Sequence, residues 1–231
     1  MSDMPRWWAK PRIISVVVDN PSWILPYAEQ LVRQLAEAGD TVRLCRSHAE
    51  VATGAVAFYL GCMQLTPPEV LARNQRNLIV HESDLPQGRG FSPLSWQILE
   101  GRNDIPVCML EAAAEADAGP VVYREMLHFK GHELIDELRS ALGRLTVELC
   151  QRYLDEKSPP IGQAQSGQPT HYSRRRPEDS RLDPERSLAE QFNLLRVVDN
   201  SRYPAFFELH GQRYTLCIEK MPASGNEGES P

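Results

Sequence analysis

The strongest constraint on the fold is a rhythm: short runs of β-branched and apolar residues alternate with stretches whose apolar positions recur at helical spacing. Residues 12–18 (RIISVVV) are long enough for one buried strand and too short for a stable helix. After the turn DNPSW, Ala28, Leu31, Val32, Leu35 and Ala36 mark one face of a helix, and Gly39 stands where such a helix ends. TVRLC from Thr41, AVAFYL from Ala55 and NLIVH from Asn77 read as three more strands, with Pro67 and Pro68 opening a short helix before the last. This order predicts an α/β, Rossmann-like domain around a twisted, mostly parallel sheet.

The pattern continues with Ser92 and Pro93 as N-cap and first turn of a helix through Leu99, ended by Gly101. PVCMLEA from Pro106 and VVYREMLHF from Val121 read as strands joined by an acidic, alanine-rich loop. Leu134, Leu138, Leu142, Leu145 and Leu149 line a long helix over roughly 132–154. Residues 157–171 are rich in Pro, Gly, Gln and Ser and are expected to form a flexible connection. Beyond it, Ser187 is expected to cap a short helix containing Leu188, Phe192 and Leu195, and AFFEL and QRYTLCI flank His210-Gly211 as a hairpin. The expected organisation is a catalytic domain over 1–156, a linker with a Pro-Glu-Asp loop over 157–186, a small helix-and-hairpin lobe over 187–220 and a disordered tail over 221–231.

Composition narrows the function classes. The apolar runs fall far short of the ~20 residues that cross a bilayer, and the N-terminal MSDMPRWWAKPR lacks the apolar stretch of a signal peptide. Five cysteines, scattered singly with no CxxC pair, read as reduced and not as metal ligands, which suits the cytoplasm. A formal charge of −6 argues against a large nucleic-acid partner, whose phosphates call for a basic surplus. The one dense basic cluster, Arg174, Arg175 and Arg176, suits the phosphates of a small ligand or a solvated loop. The first strand-to-helix turn reads DNPSWIL and not GxGxxG, and there is no P-loop or GxSxG elbow.

Chemistry concentrates in NLIVHESDLPQGRGFSPLSWQILEG from Asn77 and PVCMLEAAAEADAGPVV from Pro106. His81 and Asp117 fall at predicted C-terminal strand ends, where open α/β sheets bind ligands. A histidine near neutrality accepts a proton or donates to an oxyanion, and a neighbouring carboxylate orients it.

The ordered set of strand-end His81, the Leu85-Pro86 and Arg89-Gly90 loop, the Ser-Pro helix start and the Asp117-Ala118-Gly119 turn resembles the folate-dependent formyltransferases, which include glycinamide ribonucleotide, methionyl-tRNA and sugar N-formyltransferases. The spacing of 36 residues between His81 and Asp117 matches that family. YSRRRPEDSRLD from Tyr172 resembles its Pro-Glu-Asp loop, and NLLRVVDNSRYPAFFELHGQRYTLCI from Asn193 resembles its sugar-specific members, so the likeness spans about 12–219. In wording the chain is closest to formyltransferases of pseudaminic- or legionaminic-acid-type sugar biosynthesis.

The resemblance implies transfer of a formyl group from 10-formyltetrahydrofolate to a primary amine, with an amino sugar, nucleotide-linked, as the expected acceptor, no metal, and a homodimer as an allowed assembly. A folate- or sugar-nucleotide-binding protein without turnover is the alternative, and methionyl-tRNA the alternative acceptor. The resemblance assigns His81 and Asp117 to catalysis and Cys62, Met63, Gln64, Leu110, Ala113 and Glu115 to the folate; Ser83 joins the catalytic set as a candidate donor, and Arg89 is either a contact near folate or substrate or a structural ion pair. Asn20, Trp23, Arg174 and Arg175 are assigned to the acceptor, with a capped turn and a packed indole as the structural reading of the first two. One departure is specific: the family places an Asn two residues before the His to hold the formyl oxygen, and here that position is Ile79. Backbone N–H groups near Cys62 to Gln64, the Ser83 hydroxyl and Asn20 are candidate replacements.

Overall fold

The computed structural model describes residues 9–221; the expectations for the N-terminal residues 1–8 and the tail 222–231 lie outside them. Strand β1 (Ile13–Val17) leads through a turn into helix α1 (Leu25–Glu37), then β2 (Thr41–Cys45), β3 (Gly54–Tyr59), the one-turn helix α2 (Pro68–Leu71) and β4 (Asn74–His81). A two-residue strand β5 (Arg89–Gly90) precedes helix α3 (Pro93–Leu99), and β6 (Asp104–Glu111), β7 (Val121–His128) and the long helix α4 (Ile135–Asp155) complete the main body. The chain ends in β8 (His171–Tyr172), α5 (Phe192–Val197) and the hairpin β9 (Ala205–Leu209) and β10 (Gln212–Leu216).

Six strands form one sheet in the order β2-β1-β3-β4-β6-β7. The first four run parallel, and β6 and β7 are each antiparallel to the neighbour before them. The β1 run separates its side chains by period two. Ile14, Val16 and Val18 enter the large core beneath α1 and α4, and Val17 enters a smaller core on the opposite face with Cys45, Ala57 and Tyr59. The leucine face of α4 is packed as expected, with Leu138, Leu142 and Leu149 fully buried.

An ion pair ties the lower edge of the sheet together. The Arg12 guanidinium donates from Nε and Nη2 to the two carboxylate oxygens of Asp40, at 3.0 and 2.7 Å, and from Nη1 to the Leu154 carbonyl at the end of α4, at 2.6 Å. Burial pushes the Asp40 carboxyl up, but the Arg12 guanidinium and backbone N–H outweigh it and hold the carboxyl below its ordinary value.

The C-terminal segment differs from the sequence reading in two places. Residues 157–171 do not hang free: Gln163 bridges Val121 of β7, and β8 pairs with β5. The last helix begins at Phe192, because Ser187 instead closes a preceding turn with Glu190, and Leu188 is left exposed. The hairpin forms as read, with His210 and Gly211 both at positive φ.

Candidate active site

Parallel strands deliver their C-terminal ends to one edge of the sheet, and a cavity of about 700 Å³ opens there. On its floor His81, the last residue of β4, is 6% exposed. Its Nε2 lies 2.8 Å from the Gly88 carbonyl, which only accepts, so Nε2 carries a proton. That leaves Nδ1 facing Asp117, 3.6 Å from Oδ1. The other Asp117 oxygen accepts the Gly90 N–H at 2.9 Å. The Pro-Gln-Gly-Arg-Gly loop thus grips both members of the pair, by a carbonyl on the histidine and an N–H on the carboxylate. Gly90 has no substitute here, since its φ is +99° and a Cβ would stand 2.5 Å from the Tyr172 carbonyl oxygen.

The loop is strapped down from outside. Thr170 accepts the Gly88 N–H at 2.8 Å through its hydroxyl and the Arg89 N–H at 2.9 Å through its carbonyl, and Tyr172 accepts the Phe91 N–H at 3.1 Å. Gln165 donates to the carbonyls of Asp117 and Gly119, at 2.6 and 2.8 Å, fixing the turn in which Asp117 takes a φ of +53°. Trp96 packs in parallel against Tyr172 and donates to the Ser173 carbonyl, a packing role that matches its place in α3.

Of the residues assigned from sequence, His81, Asp117, Cys62, Met63, Gln64, Ala113, Glu115, Asn20, Trp23, Arg174 and Arg175 line the cavity. Ser83, Arg89 and Leu110 do not. β4 ends at His81, so the alternation that would set Ser83 on the same face is broken; its hydroxyl is buried without a hydrogen-bond partner. Arg89 is buried behind the loop, donating to Glu115 and Gln165 at 2.9 and 2.8 Å. Leu110 lies one residue inside the end of β6, in an apolar cluster with Leu85 and Cys108. Burial, reinforced by the Asp19 charge, pushes the Cys62 thiol up to about 12, so it stands in the cavity wall as a protonated thiol.

The sequence reading missed several lining residues. Glu82 stands on the wall beside His81, and burial pushes its carboxyl above the ordinary range, with the Asp117 charge adding to the shift and His81 opposing it. Arg139 from α4, and Asp199, Arg202 and Tyr203 from the segment after α5, join Arg174, Arg175 and Arg176 at the mouth. Arg139 is held by Asp199 at 2.7 Å, and Arg175 donates to the Val197 carbonyl at 2.9 Å, while Arg174 and Arg176 make no ion pair with any described acid. The mouth is therefore cationic. Asp199 and Arg202 lie in the segment from Asn193 whose wording resembles the sugar-specific members, but that likeness assigned neither a role, and Arg139 is one charge on a leucine-rich helix that no spacing marks.

Comparison with known proteins agrees with this architecture. The fold matches a methionyl-tRNA formyltransferase from Clostridium thermocellum with a TM-score of 0.76 at 20% identity, over 92% of this chain and 94% of that one. A sugar N-formyltransferase from a Shewanella species matches with a TM-score of 0.68 at 12% identity, over 92% and 99% of the two chains. HypX from Aquifex aeolicus, in complex with tetrahydrofolic acid, matches with a TM-score of 0.66 at 18% identity, over 90% of this chain and 38% of the larger one. At these identities the likeness establishes the fold. The model of the formyl transferase family matches residues 37–152, just over half of the chain and the stretch that carries both His81 and Asp117, and the protein belongs to that family.

Proposed function

We propose that the protein moves a formyl group from 10-formyltetrahydrofolate to the primary amine of an amino sugar that carries an anionic group, such as a nucleotide. The observation that carries the reading is the His81–Asp117 pair on the floor of a large cavity whose mouth is ringed by arginines. The cavity falls within the size range of small-molecule sites, and its walls combine Ile79, Val80, Phe91 and Leu94 with the polar floor, which suits a flat aromatic donor. Cys62, Met63, Gln64, Ala113 and Glu115 would hold the folate, which supplies the formyl carbon. Trp23, Arg174 and Arg175 would face the acceptor. His81 keeps one proton on Gly88, and its Nδ1 is the atom free to exchange a proton with the reacting amine or with Asp117. The sugar N-formyltransferase of similar fold supports the acceptor class. Free cysteines at positions 45, 62, 108, 150 and 217 suit the reducing cytoplasm, where we place the reaction.

Ile79 favours a second reading, a binding protein without turnover. The two separate in one assay: the protein is incubated with 10-formyltetrahydrofolate and a panel of amino sugars, nucleotide-linked amino sugars, amino acids and tRNA, and tetrahydrofolate release is followed. Turnover with a nucleotide-linked amino sugar is the expected result. Folate binding without release on any amine would sink the enzymatic reading.

A further inference from the structure

Amine attack on a formyl carbon places negative charge on the formyl oxygen, and a donor aimed at that oxygen is commonly worth about 10²–10³ in rate. Ile79 lines the cavity two residues before His81 and has no hydrogen to give. The groups that the sequence offers instead are spent. The Met63 and Gln64 N–H groups both donate to the Asp19 carboxylate, at 2.8 and 3.0 Å. Asn20 donates to Asp19 and to the Gly61 carbonyl, both at 2.8 Å. Ser83 lies outside the cavity. Asn77 donates to the Leu71 carbonyl at 2.9 Å and accepts from the Tyr59 hydroxyl at 3.3 Å. His81 holds its Nε2 proton on Gly88.

Glu82 remains. It follows His81 directly and lines the cavity, and its carboxyl bonds to no other described residue, only to its own backbone N–H. Its carbonyl accepts from Gln97 of α3 at 2.6 Å, which fixes the backbone from which the side chain projects. The charged groups that face it are His81 at the end of its own strand and Asp117 across the floor, while α3 offers only the neutral Gln97 and Arg139 of α4 is engaged by Asp199. We propose that Glu82 is a catalytic residue of this enzyme: its carboxyl, in the protonated form, donates the hydrogen bond to the formyl oxygen that Ile79 cannot supply. Burial favours that neutral form, as in other sites where a carboxylic acid acts as a donor near neutrality.

The proposal rests on the formyl-transfer reading and leaves its atom balance intact. The amine nitrogen bonds to the formyl carbon, the carbon–nitrogen bond to the folate breaks, one proton leaves the amine by way of His81 and Asp117, and one arrives on the departing folate nitrogen. Glu82 keeps its proton throughout.

The test compares wild type with Glu82→Ala, Glu82→Gln and the double variant Glu82→Ala with Ile79→Asn, all checked for folding by thermal unfolding. Glu82→Ala is expected to lower kcat by about 10²–10³, Glu82→Gln to stay far closer to wild type because its amide still donates, and the double variant to regain part of the loss. The activity contributed by Glu82 is present below its raised pKa and lost as pH rises through it, so wild type shows an alkaline limb that Glu82→Gln lacks. An independent readout is side-chain ¹³C NMR of the folate-free protein labelled at glutamate: one carboxyl should titrate above the ordinary range and vanish in Glu82→Gln. An active wild type whose Glu82→Ala variant keeps its kcat, or whose glutamates all titrate normally, overturns this proposal alone. A wild type inert toward every acceptor overturns the formyl-transfer reading and this proposal with it.

Discussion

The two edges of the sheet handle buried charge in opposite ways. At the N-terminal edge, Arg12 and Asp40 meet at 2.7 Å, both Asp40 oxygens are satisfied, and the guanidinium also reaches Leu154. At the C-terminal edge His81 and Asp117 stand 3.6 Å apart, and among the described residues Glu82 finds no partner but its own N–H and two arginines at the mouth pair with no acid. A satisfied cluster contributes to the fold, and removing one partner is costly. An unsatisfied cluster costs stability and persists where a ligand completes it. The contrast sets an edge built for stability against the edge where we propose the reaction, without reference to any relative.

That contrast predicts different consequences for substitutions of similar chemistry. The largest effect is expected at the floor of the cavity: His81→Ala and Asp117→Asn should each lower kcat by about 10²–10⁴, with folate affinity changed only a few-fold because neither removes the cavity walls. Steady-state kinetics with parallel folate titration decides this, and a near wild-type rate in either variant would remove that residue from the mechanism. At the opposite edge, Asp40→Ala should leave kcat at moderate temperature unchanged but cost about 3–5 kcal/mol of stability, since the Arg12 charge stays buried with its carboxylate gone. Urea unfolding reads the loss. A stability within error of wild type would show that the pair is no anchor.

How much of this was readable beforehand follows from what a linear pattern encodes. The strands of the parallel half were legible because burial on both faces demands continuous apolar runs, and the leucine face of α4 because one stripe of a helix meets the sheet. His81 was legible as the end of such a run, but Asp117, expected at a strand end too, lies in a turn six residues beyond the end of β6 and was reached only through the family spacing. Glu82 was not, because a polar residue after a strand reads as a turn, and nothing in one sequence shows that it lines the cavity. The same break of phase misplaced Ser83, which would share the face of His81 only if β4 continued. Arg139 was invisible for another reason: it reaches the site through tertiary packing, with no local spacing to announce it, while Asp199 and Arg202 lay in a segment matched as a whole, which gave no individual roles.

The smallest effect is expected at the mouth, and it sharpens the contrast most, because there the unsatisfied charge is exposed. Arg174 and Arg176 line the cavity, are solvent-accessible and make no ion pair among the described residues. If they hold an anionic part of the acceptor remote from the reacting amine, each contributes equally to ground and transition states, so its loss raises KM for the acceptor and leaves kcat alone. Exposed charge pairs are worth at most about 1 kcal/mol, so Arg174→Ala or Arg176→Ala should raise that KM by roughly fivefold, and the effect should shrink as salt is added. An amino sugar lacking the anionic group provides the control, because its KM should not respond to either substitution. Equal changes for the charged and uncharged acceptors would mean that these arginines shape the mouth and do not read the charge, and an unchanged KM for both would place the anion elsewhere in the cavity.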